Sequence, residues 1–168
     1  MRVRRCNTNN SDLLNRIMKL PGTPTEEVLE ECRSFAFIEC DEQIPCNPCE
    51  VSCPQGAIYI GKNITDLPVF DHAKCIGCNL CIAKCPGLAI FVINGSYSDK
   101  EALVSLPYEL LPLPKEGEKV IGLDREGNNV CSGIVVSVKN KKNYDHTAII
   151  SVRIPKKHRL HVRHIKLK

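Results

Sequence analysis

The sequence predicts an α+β chain with three parts. A cysteine-dense middle repeats one loop–helix–strand unit, helices precede it, and a small antiparallel β-barrel or sandwich follows it. Three observations predict this. Eight of the 11 cysteines fall between Cys40 and Cys85, in two groups of four. Cys46–Ile60 (CNPCEVSCPQGAIYI) aligns with Cys78–Val92 (CNLCIAKCPGLAIFV) at an offset of 32 residues, with seven of fifteen positions identical. From Glu118 onward, short β-rich runs alternate with turn residues. The length of 168 residues permits one compact domain or two small ones. Hydrophobic residues at 43% and charged residues at 25% exclude wholesale disorder. With no tryptophan and 5% aromatics, a core has to be aliphatic or be held by something other than side chains.

The elements follow in chain order. Ser11 can cap a helix that places Leu13, Leu14, Ile17 and Met18 on one face. Thr23-Pro24-Thr25-Glu26 reads as a capping box with proline at the first helical position. That helix runs through Val28, Leu29, Cys32, Phe35 and Ala36, with Glu26, Glu27, Glu30 and Glu31 on a solvated face. Residues 1–34 are therefore a helical extension and 35–95 the cysteine unit. Each half of that unit ends in an apolar run after a Cys-Pro turn, as a strand would. Residues 96–117 read as an extended linker, with Pro107, Pro112 and Pro114 among Leu106, Leu110, Leu111 and Leu113. It is too apolar for a free tether and is expected to pack. Residues 118–168 carry strands at Val120–Leu123, Val130–Val138, Thr147–Ile154 and His161–Leu167. Turns fall at Arg125–Asn128 and Asn140–Asp145.

The cysteines admit disulfides, zinc or iron–sulfur clusters. Disulfides favour an even count and an exported chain. Here the count is odd, and the basic amino terminus leads into no apolar stretch, so a secretory signal is not expected. The longest apolar run, Leu88–Ile93, is far short of the ~20 residues that span a bilayer. A cytoplasmic location follows as an expectation. The second group, Cys75, Cys78, Cys81 and Cys85-Pro86, reads C-x2-C-x2-C-x3-C-P. Thiolates at two-residue gaps let one loop wrap three corners of a cubane cluster, with backbone N–H groups aimed at the sulfurs. The fourth cysteine opens a separate turn, set by proline, and reaches another cluster. Zinc needs two C-x2-C pairs and no such tail.

Residues from about Phe35 to Ile93 thus resemble a bacterial-type ferredoxin domain with two [4Fe-4S] clusters. The resemblance implies crossed ligation. Cys40, Cys46, Cys49 and Cys85 would hold cluster one; Cys53, Cys75, Cys78 and Cys81 would hold cluster two. One spacing departs from the family. The first group reads C-x5-C where C-x2-C is usual, so the loop Asp41–Pro45 has to return Cys40 to the cluster. The alternative is a buried thiol at Cys40 and a three-iron cluster. Cys6, Cys32 and Cys131 are spare thiols, with Cys32 on the apolar stripe. Ile44, Ile76, Leu80, Ile82, Ala57, Ile58, Ala89 and Ile90 are expected to shield the clusters.

Charge is unevenly spread. The formal +4 divides into −5 over residues 1–138 (13 basic, 18 acidic) and +9 over residues 139–168 (10 basic, one acidic). Two clusters of about −2 each, thiolates included, bring the loaded protein near neutrality. On a strand, His158, His161 and His164 alternate faces, with His158 and His164 about 20 Å apart, which argues against a metal site there. No Gly-rich phosphate loop or dinucleotide fingerprint appears, so a flavin or nicotinamide would belong to a partner.

A cluster with four cysteine ligands has no open coordination site, so single-electron transfer is its work and the chain needs no catalytic residues. The chain adds over 100 residues to the cluster unit, best explained as docking surface. The expected function is therefore an electron-transfer subunit of a larger oxidoreductase complex. The whole-chain layout resembles, less specifically, iron–sulfur subunits of flavin-dependent amino-acid or imino-acid dehydrogenases, which implies a flavoprotein partner. The alternatives are a free, diffusible ferredoxin and an iron–sulfur nucleic-acid-binding protein. Against the last, residues 139–168 hold one aromatic, Tyr144, and so no stacking platform.

Overall fold

The computed structural model describes residues 15–25, 28 and 33–168. Most of both expected N-terminal helices, with Cys6 and Cys32, lies outside those residues. Residues 15–17 are helical and Ile17 is buried. Phe35 and Ala36, expected to continue the second helix, instead belong to strand β1 (Ser34–Ile38). All four residues from Phe35 to Ile38 are buried. A strand covered on both faces reads as a continuous apolar run, and here that run mimicked a helical stripe.

The cysteine unit then adds helix α1 (Pro48–Val51), the hairpin β2 (Ile58–Tyr59) and β3 (Val69–Phe70), helix α2 (Leu80–Lys84) and β4 (Ile90–Asn94). β4 returns antiparallel to β1, pairing Phe37 with Phe91 and Phe35 with Ile93. All four phenylalanines of the chain, Phe35, Phe37, Phe70 and Phe91, are buried in this unit.

The segment expected to be a linker is different. Glu101–Tyr108 forms β5, hydrogen-bonded between β4 and the strand Ala148–Pro155 (β8). Pro107 concealed it, because proline argues against a central strand. β4 pairs only with Leu103–Ser105, so Pro107 lies where β8 alone continues the ladder. Leu110 and Leu111 do not pack as expected: they are 56% and 86% exposed.

The four expected C-terminal strands stand as β6 (Lys119–Leu123), β7 (Asn129–Lys139), β8 (Ala148–Pro155) and β9 (His164–Leu167). They continue one seven-stranded antiparallel sheet, in the order β1-β4-β5-β8-β7-β6-β9. Its core beyond β4 is mainly aliphatic, with Val104, Leu106, Ile149, Ile150, Val152 and Ile154 fully buried beside Tyr108 and Tyr144. Register slips at Gly122/Leu123 and Val135/Ser137 bend the sheet. The bend brings His164 of β9 onto Tyr108 of β5, their rings stacked at 5.5 Å.

Candidate metal centre

The two repeats fold alike where they carry cysteine. After each Cys-Pro the backbone turns back so that an alanine N–H donates to the cysteine sulfur. Ala57 N to Cys53 Sγ is 3.2 Å, and Ala89 N to Cys85 Sγ is 3.4 Å. Both turns pass through a left-handed residue, Gly56 at φ 58° and Leu88 at φ 51°. Glycine adopts this freely; a leucine carries strain of about 1–2 kcal/mol. The loop Cys75–Cys78 is left-handed at Gly77, φ 65°. There a methyl group would collide with the Ser34 side chain, so the loop lies directly on β1. This contact lets Ala36 N of β1 donate to Cys75 Sγ at 3.4 Å.

Eight cysteines line two clefts. Cys40, Cys46, Cys49 and Cys85 meet around Ile38 and Ile90. Cys53, Cys75, Cys78 and Cys81 meet around Ile58, Phe70 and Val92. Each cleft takes its Cys-Pro cysteine from the other group. Ile90 and Val92 point to one face of β4, so the clefts sit two residues apart, roughly 7 Å along the strand. The long loop Asp41–Pro45 runs between Cys40 and Cys46, and both line the first cleft. Ala57, Ile58, Ile82 and Ile90 are buried as expected of shielding residues, and Leu80 and Ala89 are half-buried. Ile44 and Ile76 differ: at 52% and 61% exposed, they form the rims of the two clefts.

The electrostatics call for a cation. Burial, then Cys85, Cys46 and Cys40, pushes the Cys49 thiol up to about 11. Cys40 is raised by burial and by its neighbours Cys85 and Cys46. Cys81 is raised by burial, then by Cys75, Cys78 and Cys53. Each of these three thiols is thus disfavoured as an anion by burial and by other members of its own cleft. Iron supplies the positive charge that reverses this, and it binds the thiolate. The donor set is all sulfur, and three backbone N–H groups already point at sulfurs, so the residues fit the clusters. Among the described residues, no group of His, Cys, Asp or Glu is arranged for a single metal ion. A four-iron cluster differs from such a site in giving each thiolate its own iron.

One arrangement beside the first cleft has no local sequence signal. Glu39, next to Cys40, is clasped by two arginines of the C-terminal region, Arg125 in the β6–β7 turn and Arg163 just before β9. Arg125 donates through Nε at 2.7 Å and through its second terminal nitrogen; Arg163 donates through Nε at 2.7 Å. Arg163 is buried, and its guanidinium lies 4.8 Å from the ring centres of both Phe37 and Phe91. Burial pulls Arg163 down to about 10, opposed by Glu39, so it stays charged at neutral pH. The partners stand 86 and 124 residues away in sequence.

The histidine expectation is also revised. Only His164 is on a strand. His158 ends the 3-10 turn Lys156–His158, and His161 N donates to His158 O at 3.0 Å, so these two line one open cleft with Asp124. Cys131 is a half-buried free thiol, raised by burial.

Residues 44–89 match the family model of the 4Fe-4S dicluster domain. The chain is 32% identical over 78 residues to the pyruvate synthase subunit PorD of Methanothermobacter marburgensis, covering 46% of this chain and 89% of that one. It is 43% identical over 47 residues to an uncharacterized ferredoxin of Methanocaldococcus jannaschii, covering 28% of this chain and 29% of that one. It is 37% identical over 65 residues to a selenate reductase subunit of Mesobacillus selenatarsenatis, covering 39% and 22%. The chain therefore spans less than a third of the length of the last two. No solved structure matches it significantly. Among the described residues, no helix is long and apolar enough to cross a membrane.

Proposed function

Because this chain belongs to the family of two-cluster [4Fe-4S] ferredoxins, we propose that it serves as the electron-transfer subunit of a larger oxidoreductase. The observation that carries this reading is the pair of four-cysteine clefts on one face of β4. Cys40, Cys46, Cys49 and Cys85 are the ligands of one cluster; Cys53, Cys75, Cys78 and Cys81 are those of the other. When bound, each cluster takes up and releases one electron at a time. The chain's own residues prepare that exchange. Four thiolates leave no iron position open for substrate. Ile58, Phe70, Ile90 and Val92 keep water from the inner walls, and the N–H groups of Ala36, Ala57 and Ala89 offset sulfur charge. The exposed Ile76 and Cys78 leave one rim bare for contact with a partner.

A role as a subunit is supported by relatives named as subunits of pyruvate synthase and of selenate reductase. The five strands beyond β4 supply surface that a free carrier does not need. On the layout of the whole chain, the partner we infer is a flavoprotein dehydrogenase. Affinity purification of the tagged chain from its native host, with absorbance and mass spectrometry of what is retained, tests this. A stoichiometric flavoprotein is the expected result. A stable monomer that exchanges electrons with several unrelated reductases would instead make it a diffusible ferredoxin. Salt-steep binding to DNA or RNA would point to the nucleic-acid reading.

A further inference from the structure

The two clefts differ in how they are held. The first takes two cysteines from outside its C-x2-C loop, Cys40 and Cys85, and the residue before each is tied to the turns that join the C-terminal strands. Glu39 is bound by Arg125 and Arg163, all three nearly buried. Lys84 reaches Asp145 of the β7–β8 turn at 2.5 Å. For the second cleft, the ion pair beside Cys75 is the local Lys74–Asp71, and Arg33 donates to His72 O at 2.8 Å. Among the described residues, no salt bridge links the flanks of its cysteines to β5–β9.

Resting on the ligand assignment proposed above, we infer that the C-terminal strands are a clamp for one cluster, with Glu39 and Arg163 as its positioning residues. Cys40 needs such a device. It sits six residues ahead of Cys46, at the head of an exposed loop, where the usual three-residue step would hold it by chain connectivity alone. Here β1 delivers it instead. Glu39 N donates to Ala89 O at 2.8 Å, and the Glu39 carboxylate is pinned from the far face of the sheet. Arg163 is itself immobile: Nη1 donates to Val162 O at 2.7 Å, and the guanidinium is stacked on Phe37 and Phe91. Among the described residues the Nη2 atom has no hydrogen-bond partner, and the ring faces are its counterpart. Lys84–Asp145 is more exposed and adds less, since a surface ion pair is screened and entropically opposed. Removing the Glu39 charge leaves two buried cations unopposed and frees the segment that presents Cys40.

The test uses the full chain with both clusters in place, comparing wild type, Glu39→Gln, Arg163→Met and the control Lys166→Met, an exposed residue outside the clamp. Ferricyanide is added at one equivalent per cluster. A loosened [4Fe-4S]2+ core then gives up one electron and one Fe2+ and becomes [3Fe-4S]+, which EPR detects. The two clamp variants should form this signal at least tenfold faster than wild type and the control, in one cluster only. The other cluster should keep its reduced-state spectrum. Equal rates in all four proteins, or loss of both clusters together, would overturn the clamp. Cys40→Ser, run alongside, separates this from the ligand assignment. If that variant keeps a four-iron cluster of wild-type lability, the assignment of Cys40 fails. If it forms the three-iron signal and Glu39→Gln does not, only the clamp fails.

Discussion

Replacing Gly77 with alanine should damage the second cleft far more than the same change at Gly56. Both glycines have positive φ, 65° and 58°, so both alanines meet the left-handed penalty of about 1–2 kcal/mol. Both also regain about 0.4–1 kcal/mol from a stiffer unfolded chain. These contributions cancel in the comparison. The surroundings do not. Among the described residues, a methyl at Gly56 has nothing within 4 Å, whereas at Gly77 it stands 2.7 Å from Ser34 Cβ. Ser34 begins β1, so the collision cannot be relieved by rotating a side chain. The loop must lift, at about 1–3 kcal/mol for overpacking. Lifting also breaks the bond from Ala36 N to Cys75 Sγ, about 0.5–1.5 kcal/mol more. Gly77→Ala should therefore be less stable than Gly56→Ala by about 1.5–4.5 kcal/mol. At roughly 2–4 °C per kcal/mol, several degrees separate their melting points. The assay is thermal melting of both loaded proteins at one scan rate, followed by cluster absorbance and far-UV circular dichroism. Coincident melts would refute the argument.

Three further outcomes are expected. Ser105 and Ser151 share a buried 2.8 Å hydrogen bond between β5 and β8. Either single alanine should cost about 1–3 kcal/mol by stranding the other hydroxyl, and the double variant should cost no more than either single one; additive losses in denaturant melts would contradict this. Burial lowers both His161 and His164, so the folded state resists their protonation. Stability present above the unfolded histidine pKa of about 6.5 is then lost as pH falls below it. Tm should drop between pH 7.5 and 5.5, and drop less in His164→Phe; an equal drop would exclude His164. Stripping the iron should abolish cooperative folding of residues 33–95, because the crowded thiols lose the cation that holds them together. Native far-UV circular dichroism and a cooperative melt in cluster-free protein would contradict that.

The element types of the C-terminal half were legible because strands and turns alternate there with the right residues. The seam between the halves was not. β5 contains a proline and takes its partners from β4 and β8, one close in sequence and the other far away. Phe35 and Ala36 satisfied a helical period by coincidence, and only the ladder to β4 made them strand. The histidine spacing was read as a strand, but a turn places His158 and His161 together.

Cluster chemistry is written locally. Cysteines two and three residues apart, a proline after the last and a repeat 32 residues on are short-range properties of the chain, so the sequence by itself determined the kind of cofactor and the number of clusters. Tertiary structure alone decided that the added strands continue the same sheet, and that Glu39 meets arginines 86 and 124 residues away. Such pairings depend on which strands lie side by side. That choice is made by burial and hydrogen bonding summed over the whole sheet, and no single stretch of sequence carries it.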